Sequence, residues 1–396
     1  MRVLFTTQPG VGHLLPLLPV ADGLRDRGHE VLFAVSASFG PEISAAGHSS
    51  RPAGRDWLAT QMVAAFPAMA AIPPGPERYA WARSSVFAGA TARDSVDDIT
   101  AIAREWHADL VVRDAAEYGG CLAAELLDLP HAVVRTDSGS SSYADRSLVG
   151  PALDAIRVDV GLAADPDVAM PFRYLQLSFA PPGLDEPDQA AAPTAHRIRP
   201  VVPADGNGAP AWLEALPDQR TVYATLGTVY NDTALLSMII DGLAAEALNL
   251  VVTVGHNREP AAIDPHRPNV KVEHWIPQHA LLPHCDAVIT HGGYGTVTAA
   301  MTHGCPLVLM PISADQPRNA VGCTALGVGL TIDPHDRTPE RIRTATTAVL
   351  ERPEHRQAAQ DVARDLRQRP DLEHALDLLE TLAAQRVPLP RSDAAA

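Results

Sequence analysis

The sequence predicts an α/β protein built from two doubly wound domains. Short, apolar, β-rich runs alternate with helix-compatible stretches in both halves of the chain, the rhythm of parallel sheets covered by helices. A stretch rich in proline and small residues separates the halves, and 396 residues exceed what one ordinary core organises.

In the first half, RVLFTT (2–7), EVLFAVS (30–36), DLVVR (109–113) and HAVVRT (131–136) are the strand candidates. They are continuously apolar, as strands buried on both faces tend to be. After GVGH comes a helical stretch, LLPLLPVADGLRDRG, that stops at Gly28, a residue suited to a left-handed cap. The second half repeats the pattern with TVYATL, LNLVVTV, VKVEHW, DAVIT, PLVLMP and GLTI. Residues 180–217 read as a linker or an extended connection, which sets domains at 1–200 and 218–370 with a linker over 201–217. The segment 353–384 is charged and helix-compatible, and the last residues look frayed. Two stretches, 55–93 and 138–171, fit the alternation badly and read as irregular insertions. Their apolar residues, among them Trp57, Met62, Phe66, Trp81, Phe87 and Tyr143, read either as a core stripe or as substrate contacts beside a cleft.

Composition narrows the function. With 47 acidic against 31 basic side chains the formal net charge is −16, which disfavours nucleic-acid partners that need phosphate-neutralising patches. The four cysteines are widely spaced with no C-x-x-C pair, so neither a zinc site nor a disulfide framework is expected. GVGH and a charged segment interrupt the apolar N-terminus, which therefore does not read as a signal peptide. No apolar run approaches the roughly 20 residues that span a bilayer. A cytoplasmic protein without membrane contact is expected.

Two glycine-rich turns carry the chemistry. Gly10-Val11-Gly12-His13 follows the first strand but lacks the third glycine of a dinucleotide fingerprint, since Leu15 stands there. No acidic residue closes the second strand either, so a nicotinamide-dependent oxidoreductase is rejected. His13, which titrates near neutrality, is either a helix-start histidine bonded to backbone or a displayed catalytic group. The second turn, His291-Gly292-Gly293-Tyr294-Gly295-Thr296, lies between the strand DAVIT and a helix-compatible stretch. Glycines let backbone approach a ligand, the amides opening a helix favour an anion, and His291 is a candidate charged donor. A tight turn without ligand is the bland alternative. Asp315-Gln316 follows the next strand at its C-terminal end, where α/β sheets present ligand contacts.

This block resembles the donor-sugar signature of the inverting family 1 nucleotide-sugar glycosyltransferases of GT-B fold, in particular the actinobacterial antibiotic-tailoring type. The match runs through Trp275-x-Pro277-Gln278, His291-Gly-Gly-x-Gly-Thr296, Gly304-x-Pro306, Pro311, Asp315-Gln316, Asn319 and Gly327-x-Gly329, and Gly12-His13-x-x-Pro16 within GVGHLLP fits the G-H-x-x-P part of the family's G-x-x-G-H-x-x-P start. The resemblance implies two Rossmann-like domains facing a central cleft. The first would bind the acceptor and the second the donor, with a C-terminal helix and tail over 371–396 crossing back to the N-terminal domain. It implies that His13 is the general base and that Gly10 and Gly12 serve a tight turn bringing the acceptor close. An acceptor hydroxyl needs such a base, and neutral His13 needs a partner to stabilise its imidazolium. If the sheet is parallel, Arg113 and Thr6 end their strands on one edge, which makes Asp114 the candidate; its alternative role is to cap the next helix. By the same resemblance Trp275 stacks on the nucleobase, the Ile276 backbone bonds it, and Gln278 belongs to the donor set. His291, Gly293, Gly295 and Thr296 hold the phosphates, Asp315 and Gln316 the sugar hydroxyls, and Thr228 faces the cleft.

No metal or other cofactor is expected, because the glycine loop offers fixed donors for the leaving diphosphate. Asp165-Pro166-Asp167 reads as a surface turn in preference to a metal site. Expected partners are a nucleotide-sugar donor and a natural-product acceptor, with a homodimer left open. The sequence departs from the family at one informative place. Plant relatives with uridine donors carry a ribose-binding glutamate eight residues beyond the signature histidine, and here that position is Ala299. Thymidine-diphosphate deoxysugars are therefore the expected donors. The rival functions are a nucleotide-sugar epimerase or hydrolase of the same fold and a non-catalytic auxiliary of another glycosyltransferase.

Overall fold

A computed structural model describes residues 1–135, 143–184, 193–202, 210–227, 233–255, 258–263 and 266–391, with side chains of the second stretch from 146 onward. The chain divides into two compact units. One comprises Met1–Phe179, Glu186–Val201 and Pro370–Ala396, the other Ala180–Asp185 and Val202–Arg369.

The first unit holds a seven-stranded sheet of β1 (Arg2–Thr6), β2 (Glu30–Val35), β3 (Ser49–Pro52), β4 (Leu110–Asp114), β5 (His131–Val134), β6 (Leu175–Ser178) and β7 (Ala195–Arg197). Its order is β3-β2-β1-β4-β5-β6-β7, and every pairing is parallel. The apolar runs of the sequence supply β1, β2, β4 and β5, whose residues bury both faces. On one face Val3, Phe5 and Phe33 pack with Val20, Ala21 and Leu24 of the helix Leu18–Asp26 and with Leu376, Leu379 and Leu382 of the helix Leu372–Gln385. The helix Leu372–Gln385 thus completes the core of the first unit. Gly23 permits this approach, since a Cβ there would stand 2.6 Å from Leu376. Arg27 bonds Glu373 and Asp377, and His29 bonds Glu380, along the same seam.

The second unit holds β8 (Thr221–Thr225), β9 (Asn249–Thr253), β10 (Val270–Glu273), β11 (Ala287–Thr290), β12 (Leu307–Leu309) and β13 (Gly329–Thr331). The order is β10-β9-β8-β11-β12-β13, again all parallel. Residues 211–216 of the expected linker are packed against this unit. Leu213 is buried in its core, and Trp212 and Leu216 lie against it.

Two further expectations change. Within 138–171, read as irregular, residues Tyr143–Asp159 form a helix that continues past an internal Pro151. The segment Ala82–Thr91 is π-helical and runs into the helix Ala92–Trp106, a local irregularity often found beside functional groups. Among the described residues no helix is long and apolar enough to cross a membrane.

In each sheet the strand order reverses once, between β1 and β4 and between β8 and β11. At such a switch point successive crossovers leave to opposite faces, so a crevice opens beyond the carboxyl ends of the two central strands. The two motifs singled out in the sequence follow those strands.

Candidate functional site

In the first unit, parallel register pairs Thr6 of β1 with Arg113 of β4, so the chain leaving β1 and the end of β4 meet at one edge. His13 lies on the single helical turn Val11–Leu14 that follows β1. Its Nδ1 stands 3.3 Å from Oδ1 of Asp114, the last residue of β4. The His13 side chain is one-quarter exposed and Asp114 is fully buried, an arrangement with one ionisable group at the surface and its partner beneath.

The Asp114 carboxylate is held on every side. Oδ1 also accepts from the Ala116 amide at 2.6 Å, while Oδ2 accepts from the Gln8 amide at 2.6 Å and the Thr7 hydroxyl at 2.8 Å. Burial pushes its pKa up. The His13 charge, the His13 hydrogen bond and the two amides outweigh that, and the net position is below the ordinary carboxylate value. Asp114 is therefore an anion near neutrality. Its oxygens bond the amide of its own turn and the chain after β1, which makes it more than a helix cap.

A second buried carboxyl, Glu117, lies three residues on. Thr6 Oγ1 and the Gly120 amide both donate to its Oε2. Burial raises its pKa above the ordinary value; those two bonds and the Arg113 charge act against that, and the charge of Asp114 adds to it. One turn thus carries two carboxyls pushed apart in acidity, Asp114 downward and Glu117 upward. Sequence reasoning missed Thr7, Gln8 and Glu117. Their only signal was polarity directly after buried strands.

Gly10 lies in a tight turn without a positive φ, its amide donating to the Gln8 carbonyl at 2.8 Å and its carbonyl accepting from the His13 amide at 3.0 Å. Gly10 is extended at φ −149°, and a Cβ there would stand 2.9 Å from that of Ala59. A Cβ on Gly12 would meet nothing within 4 Å, so the backbone beside His13 is open.

In the second unit, register pairs Thr225 of β8 with Thr290 of β11, bringing Gly227 beside His291. The imidazole is flanked by two glycines. A Cβ on Gly227 would stand 2.7 Å from it and one on Gly293 2.5 Å, and Gly227 has φ +77°. Burial drives the pKa of His291 down to about 4 against the opposing hydrogen bond to the Thr225 carbonyl. The expectation of a charged donor is thereby corrected: His291 is a neutral imidazole held in one place. Gly293 opens the helix Tyr294–Thr302 with no side-chain cap, leaving the leading amides oriented for an anion. A Cβ on Gly295 would meet nothing within 4 Å, whereas Thr296 is buried and accepts from Gln278 Nε2 at 3.2 Å. Asn319 Nδ2 donates to the Gly292 carbonyl at 2.8 Å and to Asp315 Oδ2 at 2.9 Å, fixing Asp315 against the glycine loop.

Trp275 is 39% exposed beside a buried Ile276, a large ring left at the surface next to the loop of β10. Gln316 has one of its two polar atoms engaged locally. Its Oε1 accepts from the amides of Ile312 and Ser313 at 2.8 and 2.9 Å, so that oxygen pins a turn. Ala299 is 3% exposed within the apolar cluster that includes Ile276 and Tyr294. Thr228 and the Tyr143 side chain lie outside the described residues. Of the expected acceptor contacts, Trp57 and Phe66 pack edge to face at 5.2 Å inside a core cluster that also takes Phe87. Trp57 lines a cavity of only about 30 Å³, room for a water or two. Met62 and Trp81 are partly buried against the same cluster, and the Phe87 ring stands edge-on to His13 at 6.1 Å. Both Asp165 oxygens accept backbone amides, from Ala169 and Met170, which makes it a turn anchor.

Two family models match the chain, described as the N-terminal and C-terminal domains of Erythromycin biosynthesis protein CIII-like proteins, over residues 22–227 and 237–382. The 4'-demethylrebeccamycin synthase of Lentzea aerocolonigenes is 30% identical, with 96% of this chain and 99% of that protein aligned. The L-demethylnoviosyl transferase of Streptomyces niveus is also 30% identical, over 93% of this chain and 95% of that protein. Among solved structures, glycosyltransferase VinC in complex with DTDP superposes with a TM-score of 0.78 at 26% identity, covering 97% of this chain and 100% of that one.

A buried carboxyl with a raised pKa stabilises the fold fully below its unfolded value, and that contribution is lost as pH rises through the folded one. Glu117→Gln needs no proton and keeps one oxygen able to accept both donors of Glu117. Its Tm relative to the wild type is expected to be several degrees more favourable at pH 8 than at pH 5, read by calorimetry. A difference independent of pH would mean that Glu117 is ionised throughout.

Proposed function

Since the chain belongs to the actinobacterial natural-product branch of the family 1 glycosyltransferases, the erythromycin CIII-like proteins, we propose that it moves a deoxysugar from a thymidine diphosphate donor to a natural-product hydroxyl with inversion. The observation that carries the reading is the His13–Asp114 pair, a part-exposed imidazole with its Nδ1 against a buried carboxylate.

In the proposed step the acceptor hydroxyl loses its proton to Nε2 of His13. Its oxygen bonds the anomeric carbon as the bond from that carbon to the diphosphate oxygen breaks. Nδ1 faces Asp114, whose negative charge stabilises the imidazolium that forms. The released diphosphate is stabilised by the leading amides of the helix Tyr294–Thr302 and by His291, with no metal in the step. Trp275 stacks on the thymine, the Ile276 backbone bonds it, and Asp315, fixed by Asn319, takes sugar hydroxyls. VinC in complex with DTDP supports the thymidine donor by analogy.

Ala299 supports the same donor by its chemistry. A carboxylate at that position would reward a ribose with two hydroxyls and penalise a deoxyribose, whereas alanine does neither. For one sugar carried on dTDP and on UDP, kcat/KM with a panel of polyketide and aromatic acceptors should favour dTDP, and the product's anomeric configuration should be inverted by NMR. A preference of about tenfold or more for UDP, roughly 1.4 kcal/mol, would contradict the donor assignment. Because Ala299 is nearly inaccessible, the wild-type comparison carries this test, and Ala299→Glu is informative only if it folds. Donor incubated alone should yield neither epimer nor free sugar; either product would point to an epimerase or a hydrolase.

Metal independence is checked separately. Excess EDTA should leave most transfer intact, and complete loss restored by Mg²⁺ or Mn²⁺ would assign the diphosphate to a metal.

A further inference from the structure

Arg113 is a charged residue on β4, the middle strand of the first unit's sheet, fully buried, with no carboxylate within ion-pair distance among the described residues. An unpaired buried charge is costly, and an apolar side chain would fill the same space more cheaply. Its guanidinium acts instead on carbonyl groups. Nη1 donates to the carbonyls of Asp114 at 3.0 Å, Ala115 at 3.4 Å and Glu117 at 2.8 Å, and Nη2 donates to that of Pro171. The Tyr118 ring packs under the cation, 5.4 Å from its centre. The remaining carbonyl of the turn, that of Ala116, accepts from Gln8 Nε2 at 2.9 Å, and Gln8 is anchored in turn on Thr91 at 3.1 Å. All four carbonyls of residues 114–117 therefore accept from one of two side chains.

This accounting matters because the Asp114 carboxylate takes its aim from the turn. The Ala116 amide and the Gln8 amide each bond one carboxylate oxygen, so a peptide that flips or a turn that relaxes moves Oδ1 away from His13. We propose that Arg113 and Gln8 are positioning residues of the base, clamping the turn 114–117 so that Asp114 stays directed at His13. The proposal rests on His13 being the base. The ionisable and charged groups around the carboxylate are His13, Glu117 and Arg113 itself. A lysine would keep the charge, but its compact ammonium cannot span the carbonyls that the planar fork bridges.

The test reads His13 directly and needs no acceptor. The full chain is labelled with [13Cε1]-histidine, His13 is assigned from the resonance lost in His13→Gln, and its titration is followed. In Arg113→Lys and in Gln8→Leu the His13 pKa is expected to fall by about half a unit or more, in the direction set by Asp114→Asn, because a misdirected carboxylate stabilises the imidazolium less. Transfer should slow about tenfold with donor KM unchanged. Gln8→Leu removes one clamp and no charge, which keeps the test open if Arg113→Lys does not fold. A folded variant with lowered Tm but a wild-type His13 titration would overturn the proposal, leaving the pair as packing only. If Asp114→Asn itself leaves His13 unmoved, the base assignment fails instead.

Discussion

The parallel pairing of β1 with β4, fixed where Thr6 meets Arg113, is the constraint on which the His13–Asp114 pair depends. A one-residue slip would invert the side chains of the strand and carry Asp114 away from the chain that leaves β1. Because the strand order reverses at this pair, the crevice beyond it is open to a ligand while both strands stay buried. β8 and β11 repeat the arrangement in the second unit, where the paired ends bring Gly227 against His291. The same sheet property thus places both motifs, His13 with Asp114 in one unit and the glycine loop in the other.

Electrostatics at the two switch points differ in kind. Around β4, one turn holds a carboxylate kept below its ordinary pKa and aimed at His13, a second carboxyl that burial pushes above its own, and a guanidinium. Two carboxyls this close in a buried setting do not ionise together readily, and their hydrogen-bond partners decide which one keeps its charge. Around β11 the imidazole of the glycine loop carries no charge. Burial holds His291 neutral, and in the proposed function the leaving diphosphate meets peptide dipoles and a fixed imidazole, which need no reorganisation as its charge develops.

Much of this was legible in the sequence. The central strands read as continuous apolar runs because burial on both faces leaves no alternation to interpret. The edges of the first sheet did not: β3 is Ser49-Ser50-Arg51-Pro52, and β7 lies within a proline-rich stretch whose composition reads as linker. Edge strands bury one flank only and need few apolar residues. His13, Asp114 and the glycine loop stood out by motif, whereas Arg113, Gln8 and Glu117 did not. Their partners lie across the sheet or within a turn whose shape is set by register. The charge state of His291 and the use of the Gln316 oxygen on its own turn were likewise invisible, since both follow from burial.

The central claim is that His13 removes the acceptor's proton during sugar transfer. It is tested most directly by the single-turnover rate of His13→Ala with saturating donor and acceptor. A positioned general base is worth about 10²–10⁴-fold, so the rate should fall by that factor while donor affinity, which belongs to the other unit, stays near the wild-type value. A His13→Ala protein that transfers to an ordinary hydroxyl at close to the wild-type rate would contradict the account.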